Sequence, residues 1–217
     1  MSFENVISLE KVKSLLKTPC EITVFDSLDS TNAEAKRRCN NAIDSIDGAS
    51  VAIDASGVRE NGASDASGSR ASDARKLNRS LIVAETQTAG RGRLGRSFFS
   101  STGTGLYFSM IFSNHKMRSP SLYTALAAVA VCRSLESVYG VEPMIKWVND
   151  IFLNGKKVSG ILCEGIVNAS GVIEYVVVGI GVNILPSDVP LNLKMLLDLC
   201  SARKMRIRKK MNCFRQS

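Results

Sequence analysis

The stretch Glu85-Thr86-Gln87-Thr88-Ala89-Gly90-Arg91-Gly92-Arg93-Leu94-Gly95-Arg96 sets three glycines and three arginines between two apolar runs. Upstream, Leu81-Ile82-Val83-Ala84 predicts a buried strand, and downstream Gly105-Leu106-Tyr107-Phe108-Ser109-Met110-Ile111-Phe112 predicts another. Closely spaced glycines let backbone N–H groups approach an anion, and arginines add a permanent charge that suits phosphate or carboxylate. A cationic loop closing over an anionic ligand and a solvated basic hairpin both fit this composition. The spacing Gly90-x-Gly92-x-x-Gly95 also matches the dinucleotide fingerprint by letter, but that fingerprint needs a helix to begin at the loop. Here the turn-rich Ser97–Gly105 follows and leads into a strand, so a Rossmann site is rejected.

A chain of 217 residues suffices for one sizeable domain. No run approaches the roughly 18–20 apolar residues of a membrane span. Met1-Ser2-Phe3-Glu4-Asn5 has neither a basic start nor an apolar signal core, so a cytoplasmic protein without membrane contact is expected. Cys20, Cys39, Cys132, Cys163, Cys200 and Cys213 are scattered, and His115 is the single histidine. That pattern suits neither a zinc site nor a disulfide framework, and reduced, buried thiols are expected. The net charge of +8 is uneven, because residues 201–217 hold seven cations and no acid. With only Phe214 to stack on a base, this tail reads as a solvated end, and no DNA partner is expected.

Taken in order, Leu9–Lys17 has helical spacing and stops before Pro19, and Glu21–Phe25 alternates as a strand. Thr31 and Glu34 have capping-box spacing, which predicts a helix from Asn32 to Arg38 and gathers Ser30, Thr31 and Asn32 at its start. Those three can hydrogen-bond a ligand or simply serve the turn. Residues 44–78 are rich in Ala, Ser, Asp and Gly and are expected to be a flexible low-complexity insertion within the domain. Ser119-Pro120 predicts the start of a long helix over Ser121–Tyr139, ended by Gly140. Three strands then follow, Met144–Leu153, Lys156–Gly165 and Val172–Ile184, joined at Asn154-Gly155 and Asn168–Gly171 into an antiparallel meander. Lys146, Asn149, Asp150, Lys157, Glu164 and Asn183 are embedded in it. Buried polar groups pair with each other or meet a ligand, and six together favour a ligand site.

Glycines, arginines and lysines without a nucleophile suit reaction of an acid activated by a nucleotide. A lysine can neutralise a carboxylate and an α-phosphate as they approach, and an Asn–Asp pair can hold magnesium or water near the phosphates. No GxxxxGK[ST] loop is present. Asp29-Ser30-Thr31-Asn32, Gln87-x-x-Gly90-Arg91-Gly92-Arg93-x-Gly95-Arg96, Lys146-Trp147-x-Asn149-Asp150, Lys157-x-x-Gly160-Ile161-Leu162-x-Glu164 and Gly179-Ile180-Gly181-Val182-Asn183 together resemble biotin–protein ligase, in that family's order, over about residues 20–185.

The resemblance implies an α+β fold, a mixed and largely antiparallel sheet flanked by helices of the class II aminoacyl-tRNA-synthetase type. The expected catalytic domain spans 1–190, followed by a short basic tail, 191–217. It implies that biotin and ATP with magnesium give biotinyl-5′-adenylate, and that the acyl group passes to a lysine of a biotin carboxyl carrier protein. By motif, Ser30, Thr31, Asn32 and Gln87 hold the biotin head group. Arg91, Gly92 and Arg93 form the loop over biotin and adenylate, with Arg93 sharing the catalytic role. Lys157 faces the carboxylate and α-phosphate, and Gly160 and Leu162 offer backbone contacts. Phe98, Lys146, Asn149, Asp150 and Asn183 join Arg91 and Arg93 around the nucleotide, with magnesium near Asn149 and Asp150. Val148 stands where the family usually has proline, and Phe98 where it often has tryptophan. No strand pattern for the family's C-terminal β-barrel and no DNA-binding helix-turn-helix are read, so a non-repressor enzyme is expected. The alternatives are a truncated non-catalytic biotin or adenylate binder and a lipoate-ligase-like acyl transferase.

Overall fold

The computed structural model describes residues 20–47, 77–113 and 120–183. Its elements are β1 (Ile22–Leu28), α1 (Thr31–Asp47), β2 (Leu81–Gln87), β3 (Gly105–Ser113), α2 (Pro120–Tyr139), β4 (Met144–Lys146), β5 (Asp150–Leu153), β6 (Lys156–Val167) and β7 (Ile173–Asn183). The strands form one seven-stranded sheet in the order β1-β2-β3-β7-β6-β5-β4. β1 and β2 are parallel, with α1 between them in sequence, and every other neighbouring pair is antiparallel. The expected mixed, largely antiparallel sheet flanked by helices is the observed architecture.

Side chains alternate across a strand, so each strand feeds two cores. Leu81, Val83, Phe108, Val176 and Val178 pack with Ala127, Ala128, Val131 and Leu135 of α2. Ile82, Ile111, Tyr175 and Val177, the intervening residues, pack with Ala35, Cys39 and Ile43 of α1. The two helices therefore cover opposite faces. The alanines of α2 let it lie close to the sheet, and Gly140, at φ 63°, ends it with its N–H on the Glu136 carbonyl.

Three elements differ from expectation. α1 runs nine residues beyond Arg38, because Ala35, Cys39 and Ile43 at i, i+4 and i+8 are buried on the sheet, and that burial outweighs the weak helix propensity of Asn40 and Asn41. The expected single strand over Met144–Leu153 is broken into β4 and β5 by a turn at Trp147–Asn149. The edges of the expected insertion are ordered: residues 44–47 belong to α1, and Asn78 Oδ1 accepts the Ser113 N–H at 3.1 Å. The rest of that insertion, the helix expected over Leu9–Lys17, Ser119, His115, Cys200, Cys213 and the basic tail lie outside the described residues. Burial pushes the Cys39 and Cys132 thiols up to about 12, as expected for inert core cysteines.

The start of α1 is held by charge. Asp29 accepts from both terminal nitrogens of Arg37, at 2.9 and 3.0 Å, and from the Ser30 N–H at 2.8 Å. Mainly through the Arg37 hydrogen bonds, its carboxyl falls from 3.8 to about 2. At Glu34 burial acts upward, but the bonds from Arg38 and Arg37 outweigh it and the net shift is downward. A depressed folded pKa contributes stability above the unfolded value that is lost as pH falls through the folded one. Since the Asp29–Arg37 pair is largely solvent-exposed, the contribution is under about 1 kcal/mol. Asp29→Asn keeps the acceptor for Ser30, so its Tm deficit at pH 7 should shrink as pH approaches 2.5; a deficit independent of pH contradicts this.

Candidate active site

The cavity originates in the sequence of the strands beneath α1. On that face β7 presents Tyr175, Val177, Gly179 and Gly181 in turn, and β3 presents Ile111, Ser109 and Tyr107. Bulky residues lie under the helix, and glycines follow where the helix begins. The gap is a cavity of about 240 Å³ between the start of α1, the β2–β3 loop and strands β5–β7.

Its floor has no room for side chains. A Cβ on Gly179 would collide with the carboxamide of Asn32. One on Gly181 would lie 2.5 Å from the Phe98 ring, and one on Gly160, its cross-strand partner, 3.1 Å from the same ring. Phe98 meets Tyr107 edge-on, with centroids 6.2 Å apart.

The roof is the glycine–arginine loop. Thr88 and Ala89 donate to the Leu28 and Asp29 carbonyls, tying its first arm to the end of β1. Gly92 N–H donates to the Arg96 carbonyl at 2.7 Å and Phe98 N–H to the Gly90 carbonyl at 2.8 Å, which folds the loop back on itself. A single 3-10 turn at Arg93–Gly95 forms its tip, where Leu94 (φ 55°) and Gly95 (φ 73°) are left-handed. No α-helix starts here, which is why the fingerprint spacing carries no dinucleotide site. Arg93 Nη1 reaches across the cavity and donates to Asn149 Oδ1 at 2.9 Å. Asn149 is fixed in turn by Ile161, through a backbone bond at 2.8 Å and a side-chain bond at 3.3 Å.

Lys157 reaches the floor through a β-bulge. Ile151 pairs with Ser159 and Phe152 with Lys157, so β6 carries one extra residue opposite this step. Residues 157 and 160 would face opposite sides of a regular strand, but here Lys157 Nζ lies 3.4 Å from the Cβ position of Gly160. The same ammonium is 2.8 Å from Asp150 Oδ1, an ionic contact without hydrogen-bond alignment.

At the other end, Gln87 Oε1 accepts the Thr31 backbone N–H at 2.8 Å, which orients its amide, and Nε2 donates to Ser100 Oγ at 2.8 Å. Thr31 was expected to cap α1 with its side chain; the hydroxyl instead turns inward to Gln87 and Ser109. The second Gln87 N–H and the Ser30 hydroxyl have no hydrogen-bond partner among the described residues, and both residues line the cavity.

Of the residues singled out from sequence, Ser30, Thr31, Asn32, Gln87, Arg91, Gly92, Arg93, Phe98, Asn149, Asp150, Lys157, Gly160 and Leu162 all line this one cavity. Lys146 and Asn183 do not. Lys146 lies over the Phe152 ring at 5.3 Å, and Asn183 is exposed at the end of β7, opposite Gly105. Gly179, Gly181 and Ser109 were not among the candidates. The signal for the two glycines is the alternating Gly179-x-Gly181 in an otherwise bulky strand, which marks a close approach; Ser109 has no such local signal. Glu164, read only as an embedded charge, meets Lys36 Nζ and Asn32 Nδ2, each at 2.8 Å. Burial raises its carboxyl pKa, but those two partners and the Lys36 and Arg91 charges outweigh it, and the net shift is downward. Among the described residues no three His, Cys, Asp or Glu side chains converge on a metal position, and no helix is long and apolar enough to cross a membrane.

Residues 69–183 match the biotin/lipoate A/B protein ligase family. The chain is 44% identical over 118 residues, 52% of its length and 36% of the relative's, to the bifunctional ligase/repressor BirA of Bacillus subtilis. It is 30% identical over 137 residues, 60% of this chain and 49% of the relative, to the biotin–[acetyl-CoA-carboxylase] ligase of Mycobacterium tuberculosis. It thus spans about a third to a half of the length of these two relatives. The fold is shared with the Leishmania major biotin protein ligase solved with biotinyl-5-AMP, at a TM-score of 0.58 and 19% identity over 85% of this chain and 75% of that one. It is also shared with the Aquifex aeolicus enzyme solved with biotin and ATP, at a TM-score of 0.54 and 23% identity over 84% and 68%. With the matched segment covering more than half of its residues, the chain belongs to the biotin/lipoate A/B protein ligase family.

Proposed function

We propose that this chain, with residues 1–190 as its catalytic domain, activates biotin with ATP to biotinyl-5′-adenylate and transfers the biotinyl group to a lysine of a biotin carboxyl carrier protein. The observation that carries this reading is the convergence of residues from five separated sequence motifs on one cavity with an apolar, glycine-floored slot between two polar ends. Biotin has that form: a ureido head, an apolar body and a carboxylate tail. At the α1 end, the Ser30 hydroxyl and the free Gln87 N–H offer donors to the ureido oxygen, and hydroxyl lone pairs offer acceptors to its N–H groups.

At the other end, Lys157 lies where the carboxylate meets the α-phosphate. Both reactants are anionic, so their approach is opposed until a cation lies between them. Lys157 Nζ supplies that charge, and Arg91 and Arg93 extend it along the loop. A carboxylate oxygen then attacks the α-phosphorus and pyrophosphate leaves. In the second step the carrier lysine's neutral amine attacks the acyl carbon, and AMP leaves with the bonding pair. Closure of the loop over the mixed anhydride keeps water from competing. Asp150 is the carboxylate that, with substrate phosphates, would hold magnesium, in keeping with that ion's use of one or two carboxylates. Magnesium bound there would neutralise phosphate charge. Lys146 and Asn183 are left without a direct role.

The test is product capture. Incubation with biotin, magnesium and ATP labelled at the α-phosphate should yield a biotin-dependent labelled adenylate that a carrier domain discharges. An adenylate formed from lipoate instead would assign the acyl transferase alternative, and biotin binding without adenylate would assign the binder.

A further inference from the structure

We propose that Ser109 and Glu164 are positioning residues for the head-group end of the cavity, acting through Asn32; the ligand named here rests on the biotin reading above. Asn32 is buried, and its amide is fully engaged. Nδ2 donates to Glu164 Oε2 at 2.8 Å and to the Leu162 carbonyl at 3.3 Å, and Oδ1 accepts from Ser109 Oγ at 2.6 Å. The orientation of the amide is forced, because a carboxylate and a carbonyl can only accept. Both its hydrogens are committed, so Asn32 has none to give a ligand. It joins the first turn of α1 to β3 and β6 instead.

Ser109 is fully buried, and its oxygen also lies 2.8 Å from Thr31 Oγ1. A hydroxyl has one hydrogen, and Asn32 Oδ1 can only accept, so the shorter contact takes it. Thr31 has one hydrogen for two neighbours, Ser109 Oγ at 2.8 Å and Gln87 Oε1 at 3.2 Å, and either use leaves its lone pairs as acceptors. One buried hydroxyl thus braces both Thr31 and Asn32. Glu164 secures the other end and is itself held by Lys36. Gly179 lies directly beneath Asn32, which leaves the amide no second position on that side.

The test compares Ser109→Ala, Glu164→Ala, Glu164→Gln and Lys36→Met with the unchanged chain, reading biotin Kd, ATP Kd and Tm, with Ile166→Val as a core variant outside the cavity lining. Ser109→Ala and Glu164→Ala should each raise the biotin Kd about tenfold, as expected when a buried polar group loses its partner, and leave the ATP Kd within about twofold. Glu164→Gln keeps an acceptor for Asn32 and should recover most of the affinity, and Lys36→Met, which releases the outer carboxylate oxygen but leaves the Asn32 bond, should raise the biotin Kd by less than Glu164→Ala. Ile166→Val should lower Tm without moving either Kd. A separate readout needs no ligand: the Asn32 side-chain amide protons should exchange slowly in the parent and faster in Ser109→Ala and Glu164→Ala. A parent that binds no biotin but shows this pattern of exchange overturns the ligand assignment alone. Unchanged exchange, or biotin and ATP affinities that fall together with Tm, overturns the positioning role.

Discussion

Lys157→Ala should slow adenylate formation by about two to three orders of magnitude and leave Tm within a few degrees of the parent. Removal of one preorganised charge from a developing anion costs that much in other enzymes. The structural loss is small, because Lys157 is partly exposed and its ion pair is with Asp150 at the cavity wall. With the lysine end open to solvent, the pair contributes on the order of 1 kcal/mol. Lys157→Arg is a stricter control, since it keeps the charge but puts a planar fork over the Gly160 floor, where a compact ammonium fits. Arginine should recover only a small part of the rate. Parallel loss of rate and Tm in Lys157→Ala would remove the lysine from the chemistry.

Gly179→Ala should lose biotin binding and cost about 1–3 kcal/mol of stability, the usual range for an added methyl in a packed site. Its Cβ would collide with the carboxamide of Asn32, and Asn32 cannot yield without releasing Ser109, Glu164 or Leu162. Gly165→Ala on neighbouring β6 is the matched control. The nearest atom to its Cβ would be on Ile173 at 3.5 Å, an ordinary van der Waals distance, and Gly165 is exposed. Equal effects of the two substitutions would show that strand glycines matter here only for backbone entropy.

The strands and the long helix were legible because their signals are local. The continuous apolar runs in Leu81–Gln87 and Ile173–Asn183, Asn154-Gly155 between β5 and β6, and Gly140 after α2 each report their own conformation. The site was legible for another reason: its polar residues lie in short, dense motifs at element ends, and the sheet order brings those ends together. What the sequence hid depends on partners distant along the chain. The extension of α1 to Asp47 follows from burial of Cys39 and Ile43 against β3 and β7. The inward turn of Thr31 requires Ser109, 78 residues away. Lys157 shares a face with Gly160 through a bulge that no spacing rule announces. Lys146 lies one strand step outside the cavity because the turn at Trp147–Asn149 interrupts what reads as a continuous strand.

Isotope exchange between labelled pyrophosphate and ATP tests the central claim most directly, because it reports reversible adenylation alone, with no carrier protein needed. The purified chain is assayed with magnesium and with biotin, lipoate or no acid. Exchange that depends on biotin, and is abolished by Lys157→Ala, is the result expected of a cavity that brings a carboxylate and an α-phosphate together beneath the arginine loop. Absence of exchange in a sample that binds biotin, or exchange with lipoate alone, would contradict it.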